Sequence, residues 1–217
     1  MTLEIFFKIA FFVVFFSFAY VMTAYTRKAK ARKEDIATRV AMHHEHEVPL
    51  LLRLRQFFGI PFYLGVLAWT FAPKFMEWSA LALPAWARWA ALVLGLFSVF
   101  LNAWSHKTLG EKLGEDFDPA LRLLKVPALV KAGPYARMRH PIYLAFLLMQ
   151  ISVLLLTSNW FIGFCGIAII ISVIAIRIPE EERRLIEQFG DEYREYMKDT
   201  GALLPAFKIP IFNFVKV

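Results

Sequence analysis

Five runs of apolar residues divide the sequence, and their lengths constrain the fold more than any other feature. A helix that crosses a bilayer needs about 20 apolar residues. The runs are residues 5–25, 57–73, 86–104, about 142–157 and about 161–176. We therefore predict an all-α integral membrane protein with five transmembrane helices. The first run is interpreted as a retained span, because no basic segment precedes it and no small-residue cleavage site follows it.

Composition and charge agree with a location in a membrane. The chain is 59% hydrophobic, with a mean hydropathy of +0.51, whereas soluble domains are about 45–50% apolar. The net charge of +7 comes from basic residues that cluster beside the apolar runs. This distribution favours membrane lipids as partners and argues against nucleic acid. The single cysteine, Cys165, excludes an intrachain disulfide.

The connecting segments alternate between rich and poor in Lys and Arg. Residues 27–55 contain eight, residues 74–88 contain two, residues 106–139 contain seven, residues 158–160 contain none and residues 177–217 contain seven. Basic connecting segments stay in the cytoplasm. The pattern predicts a multi-pass protein with its N-terminus outside and its C-terminus in the cytoplasm, and five spans place every segment on the expected side.

Polar residues concentrate in the two segments that flank the last pair of apolar runs. The sequence VPALVKAGPYARMRHPIY precedes this pair, and RIPEEERRLIEQFGDEYREYMKDTGALLP follows it. The short connection SNW predicts an antiparallel hairpin, which returns the chain to its starting side. We therefore expect His140 and Tyr143 to lie near Arg177 and Glu181. Gly190, within the second segment, predicts a break between two helices.

The order G-P-Y, R-H-P-x-Y and R-I-x-x-E-E resembles the isoprenylcysteine carboxyl methyltransferase family. Members of that family are integral membrane enzymes that use S-adenosylmethionine. The resemblance covers about residues 100–207 and implies a cofactor pocket formed by the last cytoplasmic segments and the ends of the last spans. We accordingly divide the chain into an N-terminal three-span region, 1–105, and a catalytic region, 106–217.

The resemblance also implies roles for individual residues. The implied cofactor site consists of Pro127, Ala128, Leu129, Val130, Tyr135, His140, Pro141, Ile142, Tyr143 and Glu181. Among these, Glu181 is expected to meet the amino group of the methionine moiety. Arg177 matches the family's substrate-side arginine, and a guanidinium is suited to hold a carboxylate in a bidentate pose. Ala145 stands where the family usually has glycine, and its methyl group is expected to narrow the helix packing.

The predicted function is methyl transfer from S-adenosylmethionine to a lipophilic acceptor, with a carboxylate of the isoprenylcysteine type favoured. A carboxylate is ionised near neutral pH and needs no general base, whereas an amine acceptor would need His140 or Glu181 to remove a proton. The alternatives are a phospholipid amine N-methyltransferase, an NADPH-dependent sterol-type reductase and a non-catalytic lipid-binding membrane protein. The identity of the acceptor and the oligomeric state stay open.

Two further polar clusters are assigned no catalytic role. The segment His43–Glu47 is dense in histidine, but no second cluster completes a tetrahedral metal site, so we predict a solvated helix end and no bound metal. Residues 109–125 hold four acids whose spacing does not match a calcium loop. Arg137 and Arg139 keep an alternative role as ligands of lipid phosphates.

Overall fold

The chain folds into long helices. A computed structural model describes residues 2–33, 49–113 and 128–206. Its α-helices are α1 (Leu3–Lys33), α2 (Pro49–Phe71), α3 (Ala85–Leu113), α4 (Pro141–Thr157), α5 (Trp160–Phe189) and α6 (Asp191–Asp199). Two 3-10 helices cover Pro73–Ser79 and Gly133–Ala136. Within these ranges the β-type pairs are isolated bridges rather than strands, so the predicted all-α class is confirmed.

Four of the helices are long and apolar enough to cross a membrane, namely α1, α2, α3 and α5. The fourth predicted span forms α4, a shorter apolar helix of 17 residues. This length lies at the lower limit of about 17 residues for a spanning helix. Membrane-spanning helices are therefore present as predicted, and the exact number of five stays a prediction.

Small residues let the helices approach closely. An added Cβ at Gly95 of α3 would lie 2.6 Å from Ser152 Oγ of α4 and 2.7 Å from Val14 Cγ1 of α1. One turn further along α3, Ser98 Oγ lies 3.6 Å from Met149 Sδ. Helices α3 and α4 are thus antiparallel neighbours in close contact, which is how small side chains are used between membrane helices.

The α4–α5 hairpin is fixed by its turn. Ser158 adopts a left-handed conformation with φ 48°, and Asn159 caps α5 by accepting a hydrogen bond from the Ile162 amide at 3.1 Å. The Asn159 side chain also donates to Ser79 Oγ at 2.8 Å, which ties the turn to the connection between α2 and α3. The predicted antiparallel hairpin is confirmed.

The fifth helix is longer than the sequence indicates. The predicted span ends near residue 176, whereas α5 continues through Arg177 and Pro179 to Phe189. The predicted break at Gly190 is confirmed, because Gly190 has φ 57° and α6 begins at Asp191. The continuous helix places Arg177 and Glu181 on the same rigid element as the apolar part of α5.

The end of the bundle away from these residues is tied together by two cations. Lys8 Nζ donates to the carbonyl oxygens of Trp69 at 3.2 Å and Thr70 at 3.5 Å, at the C-terminus of α2. Arg88 of α3, which is buried, donates to Glu4 Oε1 of α1 at 2.5 Å and to the Leu156 carbonyl of α4 at 3.3 Å. A cation at a helix C-terminus also interacts favourably with the helix dipole.

Candidate active site

The α4–α5 hairpin brings the predicted polar residues into direct contact at one end of the bundle, called here the site end. Tyr143 Oη donates to Glu181 Oε1 at 2.5 Å. His140 Nδ1 lies 3.6 Å from Glu181 Oε2, and His140 Nε2 lies 3.2 Å from Glu182 Oε1. His140, Tyr143 and Glu181 are all buried. The expected proximity of these three residues is confirmed.

Glu182 and Arg139 belong to the same cluster, although the sequence did not assign them to it. Arg139 Nε donates to Glu182 Oε1 at 2.7 Å, and the two side chains are 10% and 16% exposed. Arg139 also donates to the carbonyl oxygens of Thr200 and, at 3.3 Å, Met197. A structural pairing of Arg139 therefore replaces the phosphate-binding role left open above. The signal in the sequence was the second acid of the E-E pair.

The segment after α6 is bound to the loop before α4. The backbone amides of Arg139 and His140 donate to the carbonyl oxygens of Gly201 and Ala202, each at 2.9 Å. Tyr196 Oη of α6 donates to the Tyr135 carbonyl oxygen at 2.6 Å. Burial raises the pKa of Tyr196 to about 12, so its hydroxyl keeps its proton at physiological pH. These bonds fix the entry of α4 and with it the position of His140.

The remaining residues of the implied cofactor site lie in or beside this loop. Tyr135 and Ile142 are buried with Leu109 in a small apolar cluster, against which Val130 packs. Pro141 occupies the first turn of α4, as a proline tolerates. Leu129 is half-buried and Ala128 is exposed. Pro127 lies outside the described residues. The cofactor roles of all ten residues stay predictions.

His140 has the electrostatics of a cation held between carboxylates. Burial alone would lower its pKa, but the hydrogen bonds and charges of Glu181 and Glu182 outweigh burial and raise the pKa of His140 above its usual value of 6.5. For the nearby Tyr193, in contrast, burial itself raises the pKa of the hydroxyl. In its protonated form the imidazole can donate to both acids.

An apolar cavity of about 1120 Å³ opens beside this cluster, between α1, α2, α4 and α5. Its polar lining includes Arg55, Gln56, Tyr143, Gln150 and Arg177, and most of the other lining side chains are aliphatic or aromatic. The half-buried Arg177 and the buried Tyr143 both stand at the site end. The cavity therefore has largely apolar walls and reaches the polar cluster at Tyr143.

Ala145, the predicted departure from the family pattern, is fully buried. The contacts of Gly95 with Ser152 and of Ser98 with Met149 set the antiparallel register of α3 and α4, and this register places Ala145 opposite Asn102. The side chain of Asn102 is also fully buried. The methyl group at residue 145 is therefore buried in the bundle, and its narrowing of the helix packing stays a prediction.

No metal site is found within the parts of the chain that the structure describes, by the criterion of three clustered His, Cys, Asp or Glu side chains. The segment His43–Glu47 lies outside those parts.

Comparison with known proteins identifies the region that carries the polar cluster. The family model of the isoprenylcysteine carboxyl methyltransferase (ICMT) family matches residues 91–187, from α3 to near the end of α5. This region, less than half of the chain, is therefore similar to that family. The match includes His140, Tyr143, Arg177 and Glu181, so the resemblance seen in the sequence is confirmed.

Individual relatives agree with this assignment. The chain is 33% identical to protein-S-isoprenylcysteine O-methyltransferase of Saccharomyces cerevisiae over 52% of this chain and 48% of that protein. It is 31% identical to the Homo sapiens protein of the same name, over 54% of this chain and 42% of that protein. It is 32% identical to methanethiol S-methyltransferase 1 of Bradyrhizobium diazoefficiens, over 46% of this chain and 32% of that protein. The matches cover less than half the length of each of these three relatives.

Proposed function

We propose that the protein is an integral membrane methyltransferase that uses S-adenosylmethionine and methylates a lipophilic acceptor, with a carboxylate of the isoprenylcysteine type as the favoured target. The observation that supports this proposal is that the polar cluster around Glu181 adjoins the apolar cavity. Tyr143 bonds to the buried acid Glu181 and also lines the apolar cavity that Arg177 lines. A polar cofactor site and an apolar acceptor site therefore share one side chain.

The residues around Glu181 fit the donor chemistry of S-adenosylmethionine. A buried carboxylate held by Tyr143 and His140 is a suitable partner for the ammonium of the methionine moiety. The apolar cluster of Tyr135 and Ile142, with Val130 against it, offers a surface for the adenine ring. When bound, the cofactor supplies a methyl group that its sulfonium already activates.

The chain's own contribution to the reaction is alignment and exclusion of water. Arg177 would hold the acceptor carboxylate at the cavity wall. The bound cofactor would supply the methyl group by displacement, in which a carbon–oxygen bond would form as the carbon–sulfur bond breaks and its electron pair stays on sulfur. No proton needs to move, because a carboxylate is already ionised near neutral pH.

A thiol acceptor is the second candidate, because one relative is named as a methanethiol S-methyltransferase. A cavity of about 1120 Å³ is far larger than a one-carbon thiol requires, and it favours an acceptor with a long apolar chain. The matched relatives are named as methyltransferases, which disfavours the reductase and the non-catalytic alternatives. Identification of the methylated product distinguishes a phospholipid amine acceptor, which would carry an N-methyl group, from a carboxylate acceptor, which would become a methyl ester.

The proposed topology has five spans, with α4 as a short fourth span, the N-terminus outside and the site end in the cytoplasm. The basic segments that begin and end the helices at the site end support this orientation. Reporter fusions after Lys74 and at the C-terminus are expected to lie on opposite sides of the membrane. Reporters on the same side would contradict the topology.

The direct test is transfer of labelled methyl from S-adenosylmethionine to extracted lipids and to an S-farnesyl N-acetylcysteine, followed by identification of the product. Binding is measured separately by isothermal titration with S-adenosylhomocysteine and with NADPH. Glu181→Gln is expected to weaken S-adenosylhomocysteine binding at least tenfold, because a partly desolvated ion pair is lost. Glu180→Gln, which removes an acid of the adjacent ion pairs with Arg183 and Arg184, is the matched control. Unchanged affinity in Glu181→Gln would refute the assignment.

A further inference from the structure

Helix α2 lies outside the region that matches the family, yet it contributes a second guanidinium to the cavity. Arg55 of α2 and Arg177 of α5 both line this space, and Gln56 lines it beside Arg55. The family match begins at residue 91, so nothing in the comparisons assigns a role to Arg55. Its position therefore has to be interpreted from the packing of α2 on α5.

The register of α2 against α5 places the two arginines at neighbouring levels. An added Cβ at Gly65 would lie 3.2 Å from Ile162 Cγ1, and one at Gly166 would lie 3.2 Å from Phe62 Cε2. Counting equally along both helices from the second contact places Leu51 opposite Arg177. Arg55 is one turn from Leu51, which is about 6 Å along the helix axis.

The direction of the side chains reduces this offset further. Helical side chains lean towards the N-terminus of their helix. Helix α2 begins at the site end, so Arg55 leans towards the level of Leu51. Helix α5 begins at the opposite end, so the side chain of Arg177 is expected to lean towards the level of Val173. Both arginines line the same cavity.

The charged side chains that line the cavity, among the described residues, are the two arginines. Both can therefore interact with an anionic group that enters this space. Arg177 is half-buried beside apolar walls, where its attraction for an oxyanion is stronger than in water, whereas Arg55 is exposed. Arginine also presents several donors in a planar arrangement that matches carboxylate and phosphate oxygen atoms.

We infer that Arg55 is a second acceptor-recognition residue, which holds the anionic head group jointly with Arg177 while the apolar chain fills the cavity. This inference rests on the proposed function, whose acceptor it defines as an anionic amphiphile. Arg177 positions the reacting oxygen, whereas Arg55 contributes chiefly to the binding of the acceptor. Recognition is thus divided between the matched region and a helix that the family model does not cover.

The first test measures binding without turnover. The purified full-length protein is titrated, without S-adenosylmethionine, with S-farnesyl N-acetylcysteine and with its uncharged methyl ester. Wild type is expected to prefer the acid. Arg55→Gln is expected to reduce this preference roughly tenfold or more, since a hydrogen bond to a charged group is lost. Arg53→Gln is the matched control, because Arg53 is exposed on the same helix, as Arg55 is, but lies outside the cavity lining.

The second test separates this inference from the proposed function. In methyl-transfer assays, Arg55→Gln is expected to raise the KM for the acid with a smaller effect on kcat, and Arg55→Lys is expected to recover part of the loss. If methyl transfer occurs and Arg55→Gln behaves like Arg53→Gln in both assays, the inference is overturned and the proposed function stands. If wild type transfers no methyl group to any acceptor, the proposed function fails, and an unchanged acid preference in Arg55→Gln then also overturns the role of Arg55.

Discussion

Tyr143 Oη and Glu181 Oε1 are 2.5 Å apart, and this hydrogen bond links the first turn of α4 to the end of the apolar part of α5. Both residues are buried, so the phenol replaces a water molecule that the carboxylate would otherwise require. The ring of Tyr143 also forms part of the cavity wall. Removal of this one hydroxyl is therefore expected to affect the packing of the hairpin and the shape of the proposed cofactor and acceptor sites.

Tyr143→Phe removes this hydroxyl and keeps the ring. The buried carboxylate of Glu181 then lacks one donor, and we expect the free energy of unfolding to fall by about 1–3 kcal/mol. Thermal unfolding in detergent measures the loss. Tyr63→Phe is the control, because Tyr63 lines the same cavity but is exposed. Equal melting temperatures for Tyr143→Phe and wild type would show that the bond contributes nothing to stability.

His140 makes the stability of the site end depend on pH. Its pKa is raised in the folded protein by Glu181 and Glu182, despite burial, so its contribution to stability is fully present below the unfolded value of about 6.5. That contribution is lost as the pH rises through the folded-state pKa. We expect the melting temperature of wild type to fall more between pH 6 and pH 9 than that of His140→Gln.

Four titratable side chains of the described residues surround His140. Glu181 and Glu182 approach it from α5, Tyr143 lies within α4 and Arg139 precedes it. Burial alone would raise the pKa of Glu182, but the hydrogen bonds and charges of His140 and Arg139 lower it, so the difference between wild type and variant is expected to come from the imidazole. Parallel pH profiles for the two proteins would contradict the assignment.

Arg177→Lys tests the substrate-side role of this arginine. The substitution keeps the positive charge but removes the planar fork that holds a carboxylate in one pose. We expect turnover to fall at least tenfold, because a misaligned nucleophile loses much of the benefit of positioning. Binding of S-adenosylhomocysteine, measured by titration, is expected to stay within about twofold of wild type. A variant with wild-type turnover would make Arg177 a structural residue.

Much of the fold follows from the sequence because apolar length and charge alternation are strong signals. The hairpin of α4 and α5 follows from the three-residue connection SNW, and the break after Phe189 follows from Gly190. The unbroken course of α5 past residue 176 was not predicted. A polar sequence outside the bilayer usually implies a new element, but here the helix continues through Pro179.

The site was predictable only in part, for a similar reason. A topological argument placed His140, Tyr143 and Glu181 together, because the hairpin brings its two ends to one level. It could not place Arg55, because the pairing of α2 with α5 depends on contacts such as those of Gly65 and Gly166 between distant parts of the chain. Tertiary contacts of this kind leave no local pattern in one sequence.

Glu182→Gln examines the pair that secures the C-terminal segment. Glu182 pairs with Arg139 at 2.7 Å, and Arg139 in turn bonds to the carbonyl oxygen of Thr200 after α6. Removing one partner of a largely buried pair leaves an uncompensated charge, which costs about 3–5 kcal/mol. We therefore expect a clear loss of thermal stability and faster hydrogen exchange of backbone amides over residues 191–206.

Glu187→Gln is the matched control for this change. Glu187 also pairs with an arginine at 2.5 Å, but the side chains of Glu187 and Arg183 are 60% and 57% exposed. An exposed pair contributes about 0–1 kcal/mol. Hydrogen exchange over residues 191–206 is therefore expected to stay at the wild-type rate in Glu187→Gln and to rise in Glu182→Gln. If both variants exchange at the same rate, the attachment of the C-terminal segment does not depend on the Arg139–Glu182 pair, and the backbone bonds of Arg139 and His140 to Gly201 and Ala202 hold it alone.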